Sequence, residues 1–277
     1  MNWPAIWLMG VQSFKDSITG KWFLLFATVY FLLVLGIPIL ALDAIRLLPT
    51  GYIQAWISTF LATAFTYIPL ITLPMGATVV VDERESGTLQ YIMSNPISKA
   101  DFLMGRIFGM LLATMLVVMI GFGLADVFAF GANLAEYGTL GLALVGALML
   151  NGIMLALSFV VSIISSRRAT AVGIAVFLWF AFSVVSDVAT LGLVSGCTQN
   201  CAGVAIPGLI LDPVYTATSW AVVALGKSIT QNVAISLVST STAFGPETGF
   251  ILMGIMVVWL AVCLLAPFVL FSRRDVV

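Results

Sequence analysis

Few residues in this chain could do chemistry. Cys197 and Cys201 bracket Thr198-Gln199-Asn200, a spacing that either closes a tight disulfide or leaves two thiols apart. As a metal site the pair lacks further ligands, because the 277 residues include no histidine. The same absence removes Ser-His-Asp and Cys-His nucleophilic catalysis. Asp126 and Asp187 sit in long apolar segments, where a carboxylate serves either a proton or cation relay or stays solvated at headgroup depth. Asp187 lies about 27 Å along a helix begun at Ala169, at about 1.5 Å per residue, which favours the outer interface. The run Ala221 to Ser228 ends in Gly226-Lys227-Ser228, but alanine stands where a phosphate loop needs its first glycine. No nucleotide or other cofactor is therefore expected on this chain itself. Thioether sulfur suits Cu(I), yet Met110, Met115, Met119, Met149, Met154, Met253 and Met256 share no short motif, and packing accounts for them.

The elements that must position these residues are set by composition. Apolar residues make up 61% of the chain and charged residues 8%, far from the balance of a soluble domain. A net charge of -1 without a basic tail excludes nucleic acid as a partner. Apolar stretches long enough for a bilayer core of about 30 Å fall at about 22–42, 53–81, 102–128, 139–165, 169–194 and 248–271. The expected fold is therefore an all-α integral membrane protein with six transmembrane helices, forming one domain over 1–277. Lys15, Lys21, Arg84, Lys99, Arg106, Arg167, Arg168, Arg273 and Arg274 collect on one side of that topology, against Arg46 and Lys227 on the other. Positive charge marks the cytoplasmic side, so both termini are expected there, with no cleaved signal before the first span.

Between the second and third spans lies the most polar segment, Asp82 to Asp101. Glu85 suits a first helical turn, Leu89, Ile92 and Met93 share a face, and Asn95-Pro96 stops the helix. Ser98 and Asp101 have the spacing of a capping box for the next span. A short surface helix with an apolar ridge fits a groove on a partner protein. Ahead of the first span, Trp3, Ile6, Trp7, Gly10, Phe14 and Ile18 recur at helical spacing, predicting an interfacial helix over 3–19.

Glu83-Arg84-Glu85-Ser86-Gly87-Thr88-Leu89, followed by Ser94-Asn95-Pro96-Ile97-Ser98, resembles the cytoplasmic loop of ABC-2 type permeases. The resemblance extends over essentially the whole chain: six spans, an N-terminal elbow helix, and a long extracytoplasmic segment before the last span. It implies that Glu83, Glu85, Gly87, Thr88, Leu89, Ile92 and Met93 form a coupling helix against an ATPase subunit. Two such ATPases would carry the ATP and Mg and drive two permease copies, most simply a homodimer, in a prokaryotic plasma membrane, exporting a substrate that the sequence does not name. A narrower resemblance, to permeases that serve maturation of nitrous-oxide reductase, rests on Phe14-Lys15-Asp16, Lys21-Trp22, Trp179 with Asp187, and Asp212-Pro213-Val214-Tyr215. That group is implicated in supplying a copper-sulfur centre. Here Asp212 stands where an asparagine is usual, and the cysteine pair is additional.

Region 196–247 reads as neither a clean span nor a polar loop. Irregular backbone at membrane depth survives only where protein or a water-filled cavity surrounds it, so re-entrant or interfacial helices are expected. The resemblance implies an outer gate here, carried by Pro207, Asp212 and Pro213, with Asp126 and Asp187 as further gate or pathway candidates. Two function classes compete with the ATP-driven permease: an ATP-independent carrier coupled to ions through Asp126 and Asp187, and a non-transporting transducer that moves an extracytoplasmic partner protein.

Overall fold

The computed structural model describes residues 3–40, 52–94, 97–130, 140–185, 188, 210–225 and 248–273. Every regular element among them is helical. In chain order these are α1 (Trp3–Thr19), α2 (Lys21–Leu40), α3 (Tyr52–Glu85), α4 (Thr88–Met93), α5 (Lys99–Phe130), α6 (Gly141–Ile164), α7 (Arg168–Phe180, continued by a π-helical turn Ala181–Val185), α8 (Pro213–Leu225) and α9 (Thr248–Arg273). Six of these segments are long and apolar enough to cross a bilayer: Lys21–Leu40, Trp56–Glu85, Lys99–Phe128, Gly141–Ile164, Arg168–Val185 and Gly249–Arg273. The 13 described residues of α8 span about 20 Å.

Helices α3 and α6 form the centre. Helices α2 and α7 pack on α3, α8 and α9 pack on α6, and α1 lies along α5. Small residues allow the central pair to approach closely. A Cβ on Gly76 of α3 would overlap the Ser158 side chain of α6, and one on Gly146 would meet the Trp220 ring of α8. The same device joins α1 to α5, where a Cβ on Gly109 would strike the Gly10 carbonyl and one on Gly105 would meet Met9. Gly105-x-x-x-Gly109 is thus the crossing point for the N-terminal helix, and its spacing is structural.

Polar groups deep in the apolar core are joined to one another, as a medium without water requires. Thr72 donates to Asn151 Oδ1 at 2.8 Å, and Asn151 Nδ2 donates to Thr114 at 2.9 Å, linking α3, α6 and α5. Ser162 of α6 accepts from the Val80 and Val81 amides at 2.9 and 3.2 Å. Pro69 and Pro74 lie within α3 and lack amide protons, so each leaves a carbonyl one turn earlier without its usual donor. Close to that interruption, the Thr66 carbonyl accepts from the Trp179 indole at 2.9 Å and from Ser183 at 3.3 Å, the latter carried on the π-helical turn. Helices α7 and α9 turn mostly outward, exposing Phe177, Phe180, Phe250 and Leu265 among others.

Candidate functional site

Most of the described charged residues converge at one end of the bundle, where α3 runs out of apolar sequence. There α3 continues to Glu85, four residues beyond Val81, because its terminal side chains find partners on three other helices. Glu83 pairs with Arg106 of α5, which also approaches Asp16 of α1 at 3.8 Å. Asp82 pairs with Arg168 of α7 at 3.2 Å, and the Arg168 amide donates to Glu85 Oε1 at 3.0 Å. Arg84 donates to the Ser165 carbonyl at 3.0 Å and the Ile163 carbonyl at 3.4 Å, capping the end of α6 where the helix dipole is negative. The Arg168 guanidinium also lies 6.0 Å over the Trp22 ring of α2. Four consecutive residues, 82–85, therefore bind α5, α6 and α7 to the end of α3.

A sharp turn follows. Gly87 adopts φ +74°, a left-handed conformation that side chains disfavour, and this breaks α3 from α4. Thr88 donates to the Glu83 carbonyl at 3.2 Å, and the Ser86 and Thr88 hydroxyls meet at 2.7 Å. The helix expected from Glu85 thus begins at Thr88, because Glu85 completes the preceding helix. Ser98 accepts from the Asp101 amide at 3.1 Å and caps α5, as the box spacing predicts.

The apolar ridge of α4 is oriented differently from expectation. Leu89 is 3% exposed and belongs to the bundle core, and Ile92 packs against that core. The six-residue helix has no side-chain cap of its own, so burying Leu89 is what holds it in place. Its outward face carries Thr88, Gln90, Tyr91 and Ser94, with Glu85, Ser86 and Gly87 on the approach, and Tyr91 is 76% exposed. The Met93 side chain, Asn95 and Pro96 lie outside what is described.

Beside the turn is an open notch of about 480 Å³ lined by Asp82, Glu83, Glu85, Ser86 and Arg168. Glu83 is buried, and its second carboxylate oxygen has no hydrogen-bond partner among the described residues. Among the described residues no group of three or more acidic or cysteine side chains could hold a metal ion.

At the opposite end, Asp212 is buried and caps α8, with its carboxylate accepting from the Val214 amide at 2.8 Å and the Tyr215 amide at 3.3 Å. Pro213 opens that helix at its first position, where a missing amide proton costs nothing. Asp126 is half-buried near the far end of α5 with one oxygen unpartnered among the described residues. Asp187, Cys197, Cys201 and Pro207 fall outside the described residues, so neither the disulfide nor the rest of the outer region is located.

The family model for ABC-2 family transporter proteins matches residues 11–276. The chain belongs to the ABC-2 transporter family. Curated relatives include a protein of Stutzerimonas stutzeri described as "Probable ABC transporter permease protein NosY", 26% identical over 274 residues, covering 97% of this chain and 98% of the relative. A protein of the same description from Pseudomonas aeruginosa strain PAO1 is 27% identical over 214 residues, covering 75% of this chain and 78% of the relative. Membership makes this chain a multi-pass membrane permease of an ABC transporter, a class in which the membrane subunit is not itself the ATPase.

The ABC-2 resemblance drew attention to the loop after the second span but not to its anchors. Arg106 and Arg168 were legible only as topological charge, and Asp16 and Trp22 only as part of the narrower resemblance. A usable signal was present: with 11 basic and 12 acidic residues in all, clusters at the ends of successive apolar segments had few partners other than one another.

Proposed function

We propose that this chain is the permease subunit of an ATP-driven exporter, with both termini in the cytoplasm, and that α4 is its coupling helix. The carrying observation is the joint at 82–85, where the segment leading into α4 is ion-paired or hydrogen-bonded to α5, α6 and α7. A push on α4 from an ATPase would act on four helices together, which is what coupling between two global states requires. Helix α1 is the elbow in this reading, joined to the same network by Asp16 and to α5 by the glycine crossing. The ATPase binds ATP and Mg, and the working assembly holds two ATPases and two copies of this chain in a prokaryotic plasma membrane. Export in service of a copper-sulfur centre belongs to the same reading and rests on the narrower sequence resemblance alone, and α8 with its Asp212 cap serves as part of the outer gate.

The test is co-expression of the full chain with a candidate ABC ATP-binding subunit from the same organism, followed by purification through the permease. Stoichiometric recovery of the ATPase, with a hydrolysis rate that differs from that of the isolated subunit, is expected. Recovery of the permease alone, together with uptake driven by a proton or sodium gradient and abolished by Asp126→Asn, would replace this reading with the ion-coupled carrier.

A further inference from the structure

A second cavity, of about 280 Å³, opens where α1 joins α2, against α3, α5 and α7. Its lining changes character with depth. At the rim stand Asp16, Asp82 and Arg168, with the exposed Trp22 ring beneath the guanidinium, while Phe23, Phe26, Pro74, Met75 and Val172 make the apolar floor. Pro74 lies about 12 Å along α3 from Asp82, at about 1.5 Å per residue, so the cavity runs from headgroup level into acyl-chain depth. Water fills such a floor poorly, and an amphiphile fits its gradient.

Charge selects among amphiphiles. The rim side chains remain accessible: Arg168 and Asp82 are 45% and 37% exposed, and Asp16 is 60% exposed. An anionic headgroup would meet two carboxylates, and a cationic one would meet the guanidinium. A zwitterion satisfies both, and a primary ammonium, with three donors, suits the accessible oxygens of rim carboxylates better than a quaternary one. We propose that this cavity binds a phosphatidylethanolamine molecule, its phosphate beside Arg168, its ammonium between Asp16 and Asp82, and its acyl chains entering along Phe26 and Val172. The lipid would then sit against the hinge between α1 and α2 and touch the Asp82–Arg168 pair that holds the end of α3. The proposal needs only that this end of the bundle meets a membrane interface; it stands or falls independently of ATPase docking.

Full-length protein, delipidated in detergent, is mixed with equal amounts of phosphatidylethanolamine, phosphatidylcholine and phosphatidylglycerol and examined by native mass spectrometry. The wild type is expected to retain phosphatidylethanolamine about tenfold over the other two. Val172→Trp, which fills the floor, should lower that retention about tenfold, and Asp16→Asn, at an exposed position, should erase the preference over phosphatidylcholine without altering unfolding temperature. Equal retention of all three lipids by the wild type would overturn the proposal, as would an unchanged preference in Asp16→Asn. Displacement of the lipid by soluble phosphoethanolamine at matched concentration would also overturn it, showing a headgroup site with no use for the acyl floor.

Discussion

Replacing Arg106 by Leu is expected to destabilise the protein by about 3–5 kcal/mol, the cost of leaving a buried charge without its partner. Glu83 is 8% exposed and pairs with Arg106 through one oxygen while the other has no described partner, so no second cation among the described residues relieves it. The expected result is a large drop in unfolding temperature in detergent and poor recovery from membranes. A double change, Glu83→Leu with Arg106→Leu, should restore most of the stability, because removing both members of a buried pair is often neutral. It should not restore ATPase coupling, since the ionic link at this end of α3 to α5 and α1 is gone. Asp16→Asn, at an exposed position 3.8 Å from the guanidinium, should change stability by less than about 1 kcal/mol. If the Arg106→Leu protein is as stable as wild type, the ion pair is not what holds this end of α3.

Leu89→Glu carries the second large effect. Its side chain lies in the bundle core, so the change loses about 1.5–3 kcal/mol of apolar burial and adds a carboxylate with no partner, for a total above about 4 kcal/mol. Tyr91→Glu, two residues away on the exposed face, should stay within about 0.5 kcal/mol of wild type. Thermal unfolding of both variants in the same detergent separates them. Equal stability would mean that Leu89 points outward and that α4 presents the apolar ridge to a partner after all.

These two residues show what the sequence could and could not convey. Spacing alone put Leu89, Ile92 and Met93 on one side of a helix, and that periodicity holds whether the side faces a partner or the chain itself. Which way it turns is decided by the local turn at Gly87 together with the anchoring of residues 82–85, and the anchoring is tertiary in origin. The spans themselves were legible because a run such as Gly141–Ile164 admits no other environment, and Ser98 was legible as a cap because the box is local. The pairing of Glu83 with Arg106 was not, because it joins the ends of two helices through geometry that no local rule contains. Gly105 and Gly109 were equally opaque: in a chain with 24 glycines, the spacing has no force until Gly10 is found against it.

The central claim, that the outward face of α4 receives an ATPase, is tested most directly by a photo-cross-linking amino acid placed in turn at positions 91 and 89 of the full chain, in membranes that also contain the ATP-binding subunit. Position 91 is predicted to capture the ATPase in a nucleotide-sensitive yield, and position 89 to capture only this chain. Capture of the ATPase from position 89 and not from 91, or from neither in membranes where the two proteins co-purify, would contradict the account.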